Sequence, residues 1–496
     1  MKGMILDSEG LVVTTAKEEY LLDHGPGDRC ELDPDIYWRI TCKIIKEMIT
    51  ASGIEPNSIT GVSFSSQGET VIPVDEFGKP LRKAIVWMDN RSHQEAEEIK
   101  AFFGEQKIMD ITGQPEVVAT WTATRIAWLR KNEPELFQRV YKYLLVEDYL
   151  IFQMTGKYCT EHSIVSSSLY FDIRKKQWWG EMLAFLGITD NHLPRLLPSG
   201  SIVGKITEEA SNATGLGENV ACVTGSYDHA AGAIGSGNTK SGDVTLTIGA
   251  SMAMCVAMDD ATSDLSIKLP CHAHSIEGRY FLQPYAQTAG MVLKWFKDSF
   301  CQEETRIARD SGADVYDLII EQAGKVPPGS DGLLMLPHLM GTGSPEFNPS
   351  ANGVFANIRM GIGREHFIRA VLESVCLMVR HNLEAMKLHD ITLNRIFALG
   401  GASKSNLWMQ ILADVTGLPV TTLKVNENSV MGACIIAAVA TGMFDNYDKA
   451  CQLSIGKDSS FTPNEENHLL YDRLYRNYTL LYDSMNHFWE KTGANE

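Results

Sequence analysis

The order of apolar and polar positions predicts strands and helices that alternate along the chain. Residues 4–6 and 11–13 are short apolar runs separated by the turn-forming sequence DSEG, so a hairpin is expected at the start. Apolar residues then recur at three- and four-residue spacing between Asp33 and Gly53, which predicts a helix. The apolar sequence TGVSFSS after it predicts a buried strand. Such alternation is typical of the α/β class.

A second series of the same kind begins after the turn-rich segment GSGNTKSG at 235–242. It contains a strand followed by glycines, RIFALGGASK, and a small-residue helix, GACIIAAVA, so two similar halves are expected. Because a single hydrophobic core stops growing at about 250–300 residues, a chain of 496 residues predicts at least two domains. We place them at 1–240 and 241–496.

The last predicted helix begins after Thr462 and Pro463 and carries an apolar stripe rich in tyrosine and leucine. We interpret this stripe as core packing. Its members are Tyr471, Leu474, Tyr475, Tyr478, Leu481, Tyr482 and Met485.

Charge and composition narrow the range of partners. Apolar residues make up 44% of the chain and the formal net charge is −18, with no run of Lys and Arg that could follow a phosphate backbone. Nucleic acid is therefore not an expected partner. An anionic ligand would have to be held by backbone N–H groups at turns and helix starts, together with a metal ion.

The cysteines and the N-terminus indicate a cytoplasmic location. Ten cysteines are scattered without a CxxC pair, which is typical of reduced thiols. The sequence MKGMILDSEG has acidic residues where a signal peptide needs apolar ones, and no segment approaches about 18 consecutive apolar residues. We therefore expect no membrane partner.

Four glycine-containing segments follow predicted strands, where open α/β sheets bind ligands. They are GVSFSSQGET at 61–70, GSYDHAAGAIGSG at 225–237, TIGAS at 247–251 and GGASKSN at 400–406. Glycine at such a turn lets backbone N–H groups approach a phosphate closely, although each segment alone is also compatible with an ordinary turn.

The order of these four segments and the residues that flank them resemble the FGGY carbohydrate kinases, and especially their xylulokinase-like members. The resemblance includes SSQGETVIPVDEFGKPLRKAIVWMDNRS, TGQP, RIAWLRKNEPELF, VEDYLIFQMTGKY, LPHLMGTGSPEFNPSANGVF and GGASKSNLWMQILADVTGLPV. It implies two actin-like ribonuclease-H-type domains with an interdomain active-site cleft. The N-terminal domain would bind a small sugar or polyol, such as the ketose xylulose, and the C-terminal domain would bind ATP with Mg²⁺.

The resemblance also implies residue roles. Asp228 matches the general base that accepts the proton of the attacking hydroxyl. Six residues match sugar-binding positions: Gln67, Glu69, Trp87, Asp89, Arg91 and His229. The alternative that Trp87 is a core residue and that Asp89 with Arg91 forms a surface ion pair stays open. At the position of Glu69, similar xylulokinases have a histidine and glycerol kinases have a glutamate. The resemblance therefore leaves the choice of sugar open.

For the nucleotide, Gly249 and Ser251 match the second phosphate loop, in which Ala250 replaces the usual threonine. Gly400, Gly401, Ala402 and Ser405 match the adenosine site. No resident metal site is expected, because Cys271, His272 and His274 lack a fourth partner at zinc-ligand spacing. GSGNTKSG lacks the Gly-Lys-Ser or Gly-Lys-Thr ending of a P-loop.

The start of the chain departs from the family pattern. Similar proteins open with a strand and an Asp-x-Gly-Thr phosphate loop just before the position of Lys2, and the sequence does not contain them. A truncated reading frame and a true loss are both compatible with this, so we expect weak phosphoryl transfer. The rival hypothesis is a catalytically impaired sugar-binding or regulatory protein on the same scaffold. The sequence does not decide whether the chain forms a homodimer.

Overall fold

The chain folds into two α/β halves, the second of which contains the larger continuous sheet. The computed structural model describes residues 1–424 and 427–493. The predicted α/β class is confirmed, because strands and helices alternate in both halves. The C-terminal sheet begins at Asp243, and the domain division at residue 240 stays a prediction.

The N-terminal half contains short strands arranged in several small sheets. Its strands are β1 Lys2–Leu6, β2 Val12–Lys17, β3 Asp23–Gly25, β4 Arg29–Leu32, β5 Gly61–Val62, β6 Ser65–Ser66, β7 Ile72–Val74, β8 Ala84–Ile85, β9 Lys142–Leu144, β10 Cys159–Glu161, β11 Phe171–Asp172, β12 Gln177–Trp178, β13 Arg195–Leu197, β14 Ile202–Lys205, β15 Ala221–Val223 and β16 Ser226–Tyr227. Its helices are α1 Asp35–Ser52, α2 His93–Phe103, α3 Glu105–Thr112, α4 Thr122–Asn132, α5 Pro134–Phe137, α6 Val146–Thr155, α7 Gly180–Leu186, α8 Glu208–Thr214 and α9 Asp228–Ile234.

The C-terminal half is built on longer strands. These are β17 Asp243–Ile248, β18 Met252–Met258, β19 Cys271–Ala273, β20 Tyr280–Leu282, β21 Tyr285–Ala286, β22 Leu334–Leu336, β23 Val354–Ala356, β24 Arg395–Leu399, β25 Val420–Leu423 and β26 Lys457–Phe461. The helices are α10 Gly290–Phe300, α11 Gln302–Ser311, α12 Val315–Gly324, α13 Arg364–Lys387, α14 Asn406–Thr416, α15 Asn428–Ala440, α16 Tyr447–Ser454 and α17 Glu465–Gly493.

The main C-terminal sheet has the strand order β19-β20-β18-β17-β24-β25-β26, with β21 paired to β18. The central strand β17 runs antiparallel to β18 and parallel to β24. Its apolar side chains are buried, as expected for a strand that is covered on both faces.

The three local predictions at the chain ends are confirmed. β1 and β2 form the expected antiparallel hairpin. Helix α1 ends at Gly53, whose φ of 66° is the left-handed conformation that glycine adopts without strain. In α17 the tyrosine stripe packs into the C-terminal core, where Tyr471 and Tyr478 are buried.

The two halves meet where α9 packs against α15. A Cβ atom at Gly432 would lie 1.9 Å from the carbonyl oxygen of Ala231, and one at Gly235 would lie 1.9 Å from that of Asn428. Only glycine permits such close backbone approach. Because α9 begins at Asp228, this contact also fixes the position of that residue.

Within residues 1–424 and 427–493, the helices lack the combination of length and apolar character that crossing a membrane requires.

Candidate active site

The predicted sugar-binding loop and the predicted base emerge side by side from two paired strands. β6 runs parallel to β16, with Ser65 opposite Ser226 and Ser66 opposite Tyr227. Carboxyl ends of parallel strands lie at the same sheet edge. The loop that begins at Gln67 therefore leaves this edge next to Asp228.

Asp228 presents a carboxylate oxygen that no other side chain engages. The side chain is 42% exposed, but its Oδ1 atom is buried and has no hydrogen-bond partner among the described residues. The Nε2 atom of His229 lies 4.0 Å from Oδ1, beyond hydrogen-bond distance. A buried carboxylate oxygen without a partner is an unsatisfied acceptor, which marks the position as a candidate functional site.

Glu69 lies on the same loop in an unusual backbone conformation, with φ at +57°. Burial raises the pKa of its carboxyl group to about 7; the hydroxyl of Ser167 and the charge of Arg125 lower this pKa, and the charge of Asp228 raises it. Near neutral pH the Glu69 carboxyl is therefore present in both protonation states. It can donate a hydrogen bond to a ligand as well as accept one.

This raised pKa predicts a pH-dependent cost to stability. Between about pH 4.5 and 7 the unfolded chain releases the Glu69 proton first, so the contribution of this group to stability falls as pH rises through that window. We expect Glu69→Gln to be more stable than the parent at pH 8, by about 2 kcal/mol. The difference in the free energy of unfolding between the two proteins should narrow towards pH 4.5.

Urea unfolding of both proteins across this pH range measures the effect. Glu97→Gln, at an exposed position, is the matched control and should follow the parent curve. Parallel pH profiles for Glu69→Gln and the parent would show that the carboxyl is not destabilised by burial.

Arg125 is a site residue that the sequence analysis did not single out. Its side chain is fully buried, and its guanidinium donates hydrogen bonds to three backbone carbonyls, those of Glu69 at 2.7 Å, Trp87 at 2.6 Å and Asp89 at 3.1 Å. Burial lowers its pKa to about 10. The only sequence signal was a basic residue within the apolar stretch RIAWL. Arg125 fixes two predicted sugar-binding segments relative to each other.

A second link between these segments runs through Thr70. Its hydroxyl accepts hydrogen bonds from Nε2 of Gln67, at 2.9 Å, and from the backbone N–H of Trp87, at 3.0 Å. The side chain of Trp87 is 42% exposed, so Trp87 is not a core residue. The aromatic ring is accessible at the surface of the site.

Asp89 and Arg91 form an ion pair in the interior rather than on the surface. Asp89 is fully buried, and both of its oxygens accept hydrogen bonds from Arg91 at 2.7–2.9 Å, while Cys30 donates a backbone N–H. Burial acts to raise the pKa of Asp89, but these hydrogen bonds outweigh it and hold the pKa below its usual value. Arg91 also contacts Glu31 and lies over the ring of Trp128.

These contacts engage both carboxylate oxygens of Asp89. The pair therefore braces the segment that carries Trp87. That Asp89 and Arg91 contact a sugar stays a prediction.

Four of the six predicted nucleotide residues line one cavity in the C-terminal half. The cavity has a volume of about 480 Å³ and is lined by Gly249, Gly401, Ala402 and Ser405, among others. Ser405 also caps α14, because its hydroxyl accepts from the N–H of Trp408 at 3.2 Å. The cavity is within the size range of small-molecule sites.

Gly400 and Ser251 lie beside this cavity without lining it. Gly400 has a φ of +87°, and a Cβ atom there would lie 2.5 Å from the carbonyl oxygen of Ile248. Because Gly400 has no side chain, the 400–402 turn can approach the end of β17. The carbonyl of Ser251 accepts the N–H of Gly249 at 3.0 Å and closes the β17–β18 turn.

The sequence analysis missed the wall that α10 and α12 contribute to the cavity. It includes Gly290, Met291, Lys294, Tyr316, Asp317 and Ile320. Gly290 donates its N–H to the carbonyl of Gly249 at 2.9 Å, and a Cβ atom at 290 would lie 2.4 Å from that oxygen. A glycine at the first position of a helix was the available signal.

Cys271 and His272 are consecutive residues of β19, and His274 follows that strand. Among the described residues, no group of three His, Cys, Asp or Glu side chains is arranged to hold a metal ion. Burial lowers the pKa of both histidines to about 3, so each imidazole is neutral.

Comparison with known proteins agrees with the fold. Residues 1–235 match the model of the FGGY family of carbohydrate kinases, N-terminal domain, and residues 245–441 match that of the C-terminal domain. The chain is 27% identical to a xylulose kinase of Staphylococcus xylosus over 484 residues, 97% of each chain. It is 30% identical to a gluconokinase of Bacillus licheniformis over 475 residues, 95% of this chain and 91% of the relative.

The crystal structure of xylulose kinase from Rhodospirillum rubrum has a TM-score of 0.88 to this chain at 27% identity, covering 98% of this chain and 97% of its own. This similarity confirms the predicted two-domain, actin-like α/β fold. Two family models that together cover most of the sequence leave one conclusion: the chain belongs to the FGGY family of carbohydrate kinases.

Proposed function

We propose that this carbohydrate kinase transfers the γ-phosphoryl group of ATP to a hydroxyl of a small ketose such as xylulose. The observation that carries the proposal is the half-buried Asp228 carboxylate, whose buried Oδ1 atom has no hydrogen-bond partner among the described residues, at the sheet edge shared with Gln67 and Glu69. Ten cysteines without disulfide bonds support the cytoplasmic location that is part of the proposal.

In the proposed reaction, Asp228 accepts the proton of the attacking sugar hydroxyl. The hydroxyl oxygen bonds to the γ-phosphorus while the bond from that phosphorus to the bridging oxygen breaks, and ADP leaves. A carboxylate is a weak base towards an alcohol, but in a loose phosphoryl-transfer transition state positioning contributes more than basicity. The rigid contact of α9 with α15 supplies that positioning.

Sugar hydroxyls need both donors and acceptors. Glu69 provides both near neutral pH, and Gln67 and His229 add further polar groups at the same edge. The exposed ring of Trp87 offers an apolar face for the carbons of the sugar.

ATP is assigned to the cavity lined by Gly249, Gly401 and Ala402, where bare backbone at the ends of β17 and β24 admits a flat base and phosphates. Mg²⁺ would bind at this site together with ATP, because Mg²⁺ usually keeps several waters and is held by one or two carboxylates plus substrate phosphates. Asp314 and Asp317 are the carboxylates among the residues that line this cavity and would be the ones to contact that complex. Bound Mg²⁺ would neutralise charge that develops on the phosphates.

A coupled assay of ADP release with a panel of ketopentoses, ketohexoses, gluconate and glycerol tests the substrate. We expect a ketopentose to give the highest kcat/KM, by about tenfold over gluconate. A higher kcat/KM for gluconate or glycerol would overturn the ketose assignment. Calorimetric sugar binding without ADP release from any sugar would instead favour a catalytically impaired sugar-binding protein.

A further inference from the structure

The two residues before Asp228 form the short strand β16, which has a neighbouring strand on one side only. β16 pairs with β6, and among the described strands it pairs with no other. Successive N–H groups of a strand point to opposite sides. The N–H of Ser226 points towards β6 and donates to the carbonyl of Phe64 at 3.0 Å. The N–H groups of Gly225 and Tyr227 point the other way and need acceptors that no strand supplies.

Two buried side chains supply these acceptors. The Oε1 atom of Glu147, on α6, accepts the N–H of Gly225 at 2.7 Å. The Oγ atom of Ser163, which follows β10, accepts the N–H of Tyr227 at 3.0 Å. Because both side chains are fully buried, bulk water cannot take over either bond when the side chain is lost. Glu147 and Ser163 therefore replace the neighbouring strand that β16 lacks on this side.

The hydroxyl of Ser163 is itself held in one orientation. It donates its single proton to Oε1 of Glu161 at 2.7 Å, which leaves its lone pairs for the N–H of Tyr227 and for the hydroxyl of Ser275 at 3.2 Å. The carboxylate of Glu161 is fixed as well, because it also accepts the backbone N–H groups of Ser163 and Ile164 at 2.7 and 2.5 Å. The N–H of Tyr227 is thus held by a chain of buried hydrogen bonds.

The segment that these bonds hold determines where the carboxylate of Asp228 lies. Asp228 is the first residue of α9, directly after Tyr227, so its side chain moves with the peptide group that joins the two residues. The segment is also tightly packed, because a Cβ atom at Gly225 would lie 1.7 Å from the carbonyl oxygen of Phe64. Loss of an acceptor at this place is therefore expected to shift the carboxylate.

We propose that Ser163 and Glu147 are positioning residues, which hold the N–H groups on either side of Ser226 and so fix the Asp228 carboxylate against the attacking hydroxyl. The inference rests on the proposed role of Asp228 as the base. Both residues act through Asp228 and need no contact with the sugar. Because a displacement of about 1 Å at a reacting group can cost about 100-fold in rate, the loss of one of these bonds should lower kcat.

Ser163→Ala removes the acceptor of the Tyr227 N–H and adds no volume. With the sugar of the panel that has the highest kcat/KM, we expect kcat to fall about tenfold while KM for ATP changes less than about twofold, because other segments line the nucleotide cavity. The matched control is Ser374→Ala, a fully buried serine of α13 whose hydroxyl donates to the carbonyl of Val371 at 2.8 Å. It should lose stability in urea, as Ser163→Ala does, and keep the parental kcat. A parental kcat for Ser163→Ala would overturn the proposal.

The double variant with Asp228→Asn separates positioning from support of the fold. Without the carboxylate there is no base to misplace, so the effect of Ser163→Ala on kcat should shrink to less than about twofold in that background, while its loss of stability persists. A tenfold loss of kcat that persists would show that Ser163 acts elsewhere. Normal turnover by Asp228→Asn alone would overturn the proposed base and this inference together, whereas a parental kcat for Ser163→Ala beside an impaired Asp228→Asn overturns only the positioning role.

A pair of variants at Glu147 gives a second test, which also applies if Ser163→Ala does not fold. Glu147→Gln keeps an oxygen that can accept the N–H of Gly225, and Glu147→Met has a similar length without such an oxygen. We expect Glu147→Gln to keep kcat within about threefold of the parent and Glu147→Met to lower it about tenfold, with KM for ATP unchanged in both. Equal kcat values for the two variants would show that the acceptor is not what matters and would overturn the proposal.

Discussion

Asp228→Asn is expected to lower sugar-dependent ADP release by about 10³-fold, within the range that general bases contribute. The amide has the shape of the carboxylate but cannot accept the proton of the attacking hydroxyl. Because the Oδ1 atom of Asp228 has no partner among the described residues, its replacement removes no bond that holds the fold together. Turnover should therefore fall without a comparable loss of stability.

Steady-state kinetics and ATP binding by calorimetry separate these effects. ATP affinity should be unchanged, because Asp228 is not among the residues that line the nucleotide cavity. Asp483→Asn, at an exposed position of α17, is the matched control and should keep parental activity. Normal turnover by the Asp228 variant would show that the base has been assigned wrongly.

Arg125→Lys is expected to lower kcat/KM for the sugar about 100-fold. A lysine ammonium lacks the planar fork that reaches the carbonyls of Glu69, Trp87 and Asp89 together, so one or more of these carbonyls loses its partner. The loop of Glu69 and the segment of Trp87 then lose their common support. An unsatisfied buried group costs about 1–3 kcal/mol, and a stability loss of about that size is expected as well.

The matched control is Arg130→Lys on the same helix, where the exposed side chain donates one hydrogen bond to the carbonyl of Phe185. It should alter neither activity nor stability. Saturating sugar kinetics, ATP affinity and urea unfolding are measured for both variants. If Arg125→Lys unfolds more easily but keeps the parental KM for the sugar, the residue supports the fold without positioning the sugar site.

Several parts of the fold were predictable because the signals for them are local. The hairpin β1–β2, the end of α1 at Gly53 and the apolar stripe of α17 each depend on residues within one or two turns of one another. The glycines at 249, 400 and 401 were likewise visible as turns after strands. The sequence by itself determined the α/β class, the repeated halves and the family.

Only the tertiary structure decided how these parts are supported. Arg125 bonds to carbonyls 36 to 56 positions away along the chain. The N–H of Gly290, at the start of α10, bonds to the carbonyl of Gly249 after β17, although four strands lie between them in the sequence. The buried ion pair of Asp89 and Arg91 is also held by residues of a distant strand, because the N–H of Cys30 donates to Asp89 and Arg91 donates to Glu31. Periodicity and turn chemistry report neighbours along the chain, whereas these contacts exist only after separate segments have packed, so no local pattern encodes them.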